Sequence, residues 1–479
     1  MPDNSGERKP RQAVVIIHGI GEQTPMATLR GFVRAVTECR FSKKSAPDDQ
    51  ALSKPDYISP TLELRRMAVA GNDRKWTPGD WVSTDFYELY WAHMMTGTAW
   101  RHVTAWAASL LLRFPNQVPD RLRTLWIVSW LAVVLAAVLF VFRDYMPQGT
   151  TWLAVLAGVV LLFKWKGRYF GLQYIGDAAR YLSPTPENVG VRQAIRSAAV
   201  ELLEGLHDDP TWRRYHRIIL VGHSLGSVIG YDAITHLWQR RHHPLKVYPS
   251  VEQDAQAQYQ EHQSQRRHFC TQQARALQSA LWREQRQLGV QWKITDFITL
   301  GSPLAHASFL LATGRDDLVE RIRQREYPSC PPQPEDHRDR QYNESLLQSA
   351  SGAKVLHHGA PFACTRWTNL YFDRDFVGGC INDLGIWYGK HGQAERGENW
   401  IDNKPVPRKR ACLFPHTKYW HKSADHSVLV NALDLVDWWK TPENTATALS
   451  AQDRDTKLFP TERDKWMRGP FRDKLRRDS

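Results

Sequence analysis

The feature that most constrains the fold of this chain is the pentapeptide GHSLG at 222–226, because of the segments on either side of it. The apolar run RIILV at 217–221 is typical of a buried strand, and SVIGYDAI at 227–234, directly after the pentapeptide, is typical of the start of a helix. The glycines allow a tight turn in which nothing bulky lies beside the serine. A strand, a tight turn and a helix in this order predict an α/β domain that presents Ser224 above the carboxyl edge of its sheet.

A serine in such a turn can act as a nucleophile if a base takes its proton and an acid orients that base. Downstream, WTNLYF at 367–372 predicts a late strand, and the loop that follows it contains Asp373 and Asp375. We favour Asp375 as the acid, because the Asp-x-Val-Gly continuation turns the chain sharply after it. Asp373 is the alternative, and Asp383 is a weaker one.

The base is expected in the loop before the last predicted helix, at 428–439. That loop contains His416, His421 and His426. We assign the base to His416, and His421 and His426 remain open as alternatives.

Stabilising the negative oxygen that forms during such an attack requires two backbone donors. The N–H of Leu225 is one of them. AVVII at 13–17 predicts an early core strand, and the loop HGIG at 18–21 follows it. The glycines let this loop approach a substrate closely, so we expect the second donor from it, at Ile20. His18 is expected to order the loop rather than to act as the base.

Together these motifs resemble the lipase and serine-esterase branch of the α/β-hydrolase superfamily, in which G-x-S-x-G forms the nucleophile elbow. The matching segments occur in family order and are HGIG at 18–21, GHSLG at 222–226, TLGSPL at 299–304, WTNLYFDRDFVGG at 367–379 and HTKYW at 416–420. The resemblance implies a mostly parallel sheet flanked by helices. It also implies ester hydrolysis through an acyl-enzyme by Ser224, Asp375 and His416, with no metal or organic cofactor.

Two apolar stretches without charged residues, at 125–142 and 152–163, interrupt this pattern. About 17–25 residues span a bilayer as a helix, so the pair predicts a transmembrane helical hairpin inserted into the domain. The predicted organisation is a first part of the hydrolase domain at 13–123, the hairpin at 124–166, a second part at 167–439 with polar insertions near 242–291 and 321–359, and a polar, flexible tail at 440–479.

Basic residues flank the hairpin on its outer sides and are Arg113, Arg121 and Arg123 before it and Lys164, Lys166 and Arg168 after it. The turn between the two stretches carries only Arg143, beside Asp144. Because positive charge favours the cytoplasmic side, the domain is expected in the cytoplasm. The six cysteines occur singly, which also favours a reducing compartment.

The net charge of +13 suggests an anionic partner, such as a lipid surface. No nucleic-acid-binding motif accompanies it, so no nucleic-acid partner is expected. The sequence therefore predicts a membrane-anchored serine hydrolase of carboxylic esters whose partners are the lipid bilayer and an ester or lipid substrate, such as a phospholipid. The alternatives are a tethered esterase or thioesterase for soluble substrates and a non-catalytic interaction module with the same fold.

Overall fold

A computed structural model describes the regular core of the protein and leaves several segments between its elements undescribed. The described residues are 11–20, 24–40, 51–58, 64–70, 81–95, 181–182, 186–208, 215–242, 270–287, 290–333, 356–375, 377–388, 394–407, 415–421 and 424–435, with isolated positions at 112–134, 255 and 258.

The described elements alternate between strands and helices through much of the chain. The strands are β1 (Arg11–Ile17), β2 (Ala51–Pro55), β3 (Arg65–Val69), β4 (Ser83–Leu89), β5 (Arg217–His223), β6 (Ile294–Leu300), β7 (Arg366–Tyr371), β8 (Ile386–Tyr388), β9 (Ala394–Asn399) and β10 (Asp402–Pro405). The α-helices are α1 (Ala27–Arg40), α2 (Pro186–Asp208), α3 (Leu225–Arg241), α4 (Thr271–Gln287), α5 (Ala307–Leu310), α6 (Arg315–Arg323) and α7 (His426–Leu433).

Eight of these strands form one sheet, in the order β10-β7-β6-β5-β1-β4-β3-β2. Five neighbouring pairs are parallel. The two pairs at the β2 end are antiparallel. The predicted α/β architecture with a mostly parallel sheet is therefore confirmed, and β8 and β9 form a separate antiparallel pair.

The central strands are apolar because helices cover both faces of the sheet. Every residue of β5 and β6 is buried. On one face, α1 and α7 pack through Phe32, Val36 and Leu429. On the other face, α2, α3 and α4 pack through residues such as Leu203, Trp238 and Leu277. Strands buried on both faces are what continuous apolar runs predict in a parallel sheet.

At the amino edge of the sheet, buried charges join three elements. Arg217 and Arg366 each lie 2.7 Å from a carboxylate oxygen of Asp296. Burial alone would raise the pKa of Asp296, but the two guanidinium groups hold it well below its usual range. Arg217 also donates to the main-chain oxygen of Asp434 over 2.6 Å, which ties the end of α7 to the sheet.

The predicted hairpin at 124–166 lies largely outside the described residues, which here are isolated helical positions. Across the part of the chain that the structure does describe, no helix combines the length and apolar character needed to cross a membrane. The tail at 440–479 lies wholly outside the described residues. The polar insertion near 242–291 contains α4, whose apolar residues pack onto the sheet, so that part of the insertion belongs to the core.

Candidate active site

The predicted site residues follow strands that end at the same edge of the sheet. Ile20 follows β1, Ser224 follows β5 and Asp375 follows β7. β1 and β5 are neighbours, but the chain continues from β1 towards β4 on one side and from β5 towards β6 on the other. In open α/β sheets, ligands bind outside the carboxyl ends of the strands at such a reversal, so this edge is the first place to look for a site.

The turn that carries Ser224 is strained and tightly packed. Ser224 has φ 53° and ψ −127°, a conformation that side-chain-bearing residues rarely adopt. A Cβ on Gly226 would clash with the main-chain oxygens of Ile17 and His18 at the end of β1. A glycine at 226 therefore lets the turn lie directly against β1, and the strain at Ser224 is held by this packing.

A continuous series of hydrogen bonds links three of the predicted residues. Ser224 Oγ lies 2.8 Å from His416 Nε2. His416 Nδ1 lies 2.9 and 3.1 Å from the two carboxylate oxygens of Asp375. A carboxylate can only accept, so Nδ1 carries the proton and Nε2 is free to accept the hydroxyl proton of Ser224. The structure thus brings a hydroxyl, an imidazole and a buried carboxylate together in the order that proton transfer requires.

The alternative acids and bases lie elsewhere. Asp373 is exposed and Asp383 is partly exposed, whereas the side chain of Asp375 is buried. His421 is exposed, and the Nε2 atom of His426 bonds to the main-chain oxygen of His421. Among these candidates, the geometry therefore favours Asp375 and His416.

Sequence reasoning did not assign a role to Tyr419, whose hydroxyl completes the surroundings of Asp375. This hydroxyl donates to Asp375 Oδ2 over 2.9 Å and accepts from the Phe372 N–H over 3.1 Å. Burial raises the pKa of Asp375, but the hydrogen bonds from His416 and Tyr419 more than offset this and hold it below its usual value. The sequence carried only the spacing as a signal, since Tyr419 follows His416 by three residues, and this spacing does not show that the hydroxyl reaches Asp375.

His18 fixes the peptide between Gly19 and Ile20. Its Nδ1 donates to the Gly19 oxygen over 2.7 Å, and its Nε2 accepts from the Trp91 N–H over 3.2 Å. Burial lowers its pKa to about 4, so the ring is neutral near pH 7. Because C=O and N–H point in opposite directions across a trans peptide, the Ile20 N–H is directed away from His18.

The two predicted oxyanion donors come from segments that approach each other closely. A Cβ on Gly19 would lie 3.0 Å from Ser224 Cβ, so only glycine lets the loop pass this close to the serine. Leu225 is the first residue of α3, and the first N–H groups of a helix have no acceptor within the helix. Ile20 and Leu225 thus both lie near Ser224, where a negative oxygen would form if this serine attacked a carbonyl group.

Glu88 supports the start of α1 behind this loop. One of its carboxylate oxygens accepts from the Met26 N–H over 2.8 Å. Burial raises the pKa of Glu88 to about 7. The charge of the carboxyl group that accepts from the Met26 N–H therefore changes near pH 7.

A small pocket of about 250 Å3 opens above Ser224. Beside Ser224 and His416, its walls include Ala27, Thr28, Thr417 and Trp420. The indole of Trp420 forms one wall, and it packs edge-on to the His223 ring with 4.8 Å between the ring centroids. The pocket therefore combines hydroxyl groups with one aromatic wall.

In the described part of the chain, no group of three or more His, Cys, Asp and Glu side chains could hold a metal ion. Comparisons with protein families, curated proteins and solved structures find no match to this chain.

Proposed function

We propose that the protein is a serine hydrolase of the α/β-hydrolase type that cleaves carboxylic esters through an acyl-enzyme. The observation that carries the proposal is the series of hydrogen bonds from Ser224 through His416 to Asp375. A buried acid, an oriented imidazole and a strained serine in hydrogen-bond contact have the arrangement of a nucleophilic triad.

In the proposed reaction, His416 Nε2 takes the hydroxyl proton as Ser224 Oγ attacks the ester carbonyl carbon. The Ile20 and Leu225 N–H groups stabilise the negative oxygen. His416 then gives the proton to the leaving alcohol as the C–O bond breaks, which leaves the acyl group on Ser224. Water, deprotonated by His416, attacks the acyl-enzyme in the same way and releases the acid. Asp375 orients the ring and stabilises its positive charge throughout.

The decisive test is labelling with a fluorophosphonate probe, which reacts with activated serines. Wild-type protein should be labelled and Ser224→Ala should not. Ser197→Ala, a substitution in α2 away from the site, should be labelled like the wild type. Equal labelling of the wild type and Ser224→Ala would point to another nucleophile. A folded wild type that is not labelled would favour the non-catalytic interaction module.

The pocket favours an esterase or thioesterase for small substrates as the second candidate. Ligand pockets of drug-sized molecules enclose about 300–1,000 Å3, and the volume of about 250 Å3 found here lies below that range. A panel of esters with acyl chains of increasing length, assayed in detergent, separates an esterase for small substrates from a lipase or phospholipase. Cleavage of short esters alone would exclude a lipase or phospholipase.

We further propose that the hairpin at 124–166 anchors the enzyme in a membrane, with the catalytic domain in the cytoplasm. Apart from the charge distribution, the exposure of described apolar side chains supports this: Ile127, Leu131 and Val134 are 45%, 62% and 53% exposed. The protein should stay in the membrane fraction after alkaline carbonate extraction, whereas a variant lacking 124–166 should not. Complete extraction of the wild type would contradict the anchor.

A further inference from the structure

The residue before the serine, His223, has no part in the proposed chemistry but lies at the centre of the site. Its side chain is buried, and its Nε2 atom lies 2.8 Å from the main-chain oxygen of His416. A carbonyl oxygen can only accept, so Nε2 carries the proton and donates it to this bond. The side chain next to Ser224 in the chain is therefore bonded to the backbone of the candidate base.

The ring of His223 is enclosed on its other sides as well. Its centroid lies 4.8 Å from that of Trp420 and 5.7 Å from that of Tyr419. A Cβ on Gly19 would lie 2.8 Å from its Nδ1 atom, so the loop after β1 packs against the ring. His223 thus fills the space between the loop that carries the proposed oxyanion donor and the segment that carries His416.

Burial also keeps this histidine neutral. It lowers the pKa of His223 to about 3, so the ring is uncharged in the range in which His416 would act as a base. The Nε2–H donor is therefore present at every working pH, and the ring does not compete with His416 for the proton of Ser224.

We infer that His223 is a positioning residue for the base, and that its Nε2–H bond to the His416 carbonyl fixes the backbone from which the His416 ring reaches Ser224. The inference rests on the proposed function. His416 is then held at two ends, by Asp375 at the ring and by His223 at the backbone. Both contacts are needed because proton transfer requires a short Ser224–His416 distance, and a displacement of about 1 Å at a reacting group can cost about 100-fold in rate.

The test compares two side chains of equal length at position 223. His223→Gln places an amide N–H the same number of bonds from Cβ as Nε2, whereas His223→Met has no donor. We expect His223→Met to lower kcat for a short ester by about 10- to 100-fold with KM changed little, because binding is retained while the base is misplaced. His223→Gln should recover most of this loss.

His207→Met is the matched control for the loss of a buried histidine. His207 is buried like His223, and its Nδ1 bonds to a backbone oxygen, that of Leu203 over 2.7 Å. It lies beside Lys293, just before β6, at the opposite edge of the sheet from Ser224. This substitution should lower stability and leave kcat unchanged. Wild-type kcat in a folded His223→Met variant, or equal losses of kcat in the Gln and Met variants, would overturn the inference.

A second readout does not require turnover. The proton between His416 Nδ1 and Asp375 should give a low-field NMR resonance that is absent in Asp375→Asn. We expect it to be retained in His223→Gln and to be broadened or shifted in His223→Met. Its persistence unchanged in His223→Met would also overturn the inference. If the wild type neither reacts with the fluorophosphonate probe nor cleaves esters, the proposed function fails, and this resonance still decides whether His223 positions His416.

Discussion

Replacing Tyr419 with Phe should destabilise the protein and slow ester hydrolysis, because the hydroxyl joins two buried groups. It donates to Asp375 Oδ2 and accepts from the Phe372 N–H. Losing a hydrogen bond to a charged group costs about 1.5–3 kcal/mol, and leaving a buried N–H without a partner costs about 1–3 kcal/mol. Asp375 keeps its bonds to His416 and to the Val377 N–H, so we expect a loss in unfolding free energy of about 2–5 kcal/mol at pH 7.

The loss of unfolding free energy in Tyr419→Phe should be larger at neutral pH than at acidic pH. The Tyr419 hydroxyl helps to lower the folded-state pKa of Asp375 below its usual value of 3.8. A group with a lowered folded pKa contributes stability above the unfolded pKa and loses that contribution as the pH falls through the folded pKa. The difference between wild type and Tyr419→Phe should therefore be fully present above about pH 5 and should shrink below pH 3.8.

The assay is urea unfolding at pH 7 and pH 3, with kcat measured on a short ester at pH 7. Tyr231→Phe is the control, because this buried hydroxyl donates to a neutral acceptor, the Pro328 oxygen, over 2.7 Å. It should cost about 1 kcal/mol, independently of pH, and leave kcat unchanged. For Tyr419→Phe we expect kcat to fall about tenfold, as for a loss of about 1.4 kcal/mol in transition-state stabilisation. Wild-type stability at pH 7, or a loss that is the same at both pH values, would refute the reasoning.

The other predictions concern single residues around the site. Asp375→Asn should lower kcat by about 10³- to 10⁴-fold in an ester assay and leave KM little changed, because the imidazole loses its orienting acceptor. His18→Leu should free the Gly19–Ile20 peptide and lower kcat by up to about 100-fold, with no comparable rise in KM. Gly226→Ala should give little folded protein in an expression and thermal-melting test, because its Cβ has no space beside β1. Burial raises the pKa of Glu88 from 4.5 to about 7, so the folded state holds this proton more tightly. Unfolding free energy should therefore fall as the pH rises from 4.5 to 7, by on the order of 3 kcal/mol, and Glu88→Gln should remove this dependence in urea titrations.

The elements that the sequence predicted well are those whose residues are buried on both sides. The run at 217–221 predicts a strand, and it lies within β5, every residue of which is buried. β9 and β10, with the sequences AERGEN and DNKP, could not be predicted in this way. They are short and polar, and β10 lies at the edge of the sheet, where apolar side chains are not required.

The contacts of the candidate site were predictable only in part. The order of the motifs along the chain, together with parallel strands, brings Ser224, Asp375 and His416 to one edge of the sheet. The choice of Asp375 over Asp373 depends on the turn after β7, where the Asp375 N–H bonds to the Phe372 oxygen over 3.0 Å. The bonds from Tyr419 and His223 depend on side-chain packing between distant segments, and periodicity carries no information about such packing.

The site joins segments that are far apart in the chain. The reactivity of Ser224 should therefore report whether the chain has folded. Ser224 and His416 are 192 positions apart, and His416 and Asp375 are 41 positions apart. Contacts at such separations form late, because closing long loops costs entropy before the contacts stabilise the fold. A nascent or partly unfolded chain would thus carry an unactivated serine. If Ser224 reacts as proposed, the fraction of molecules that a fluorophosphonate labels will equal the fraction with an assembled site, and labelling during refolding will measure the rate at which the site assembles.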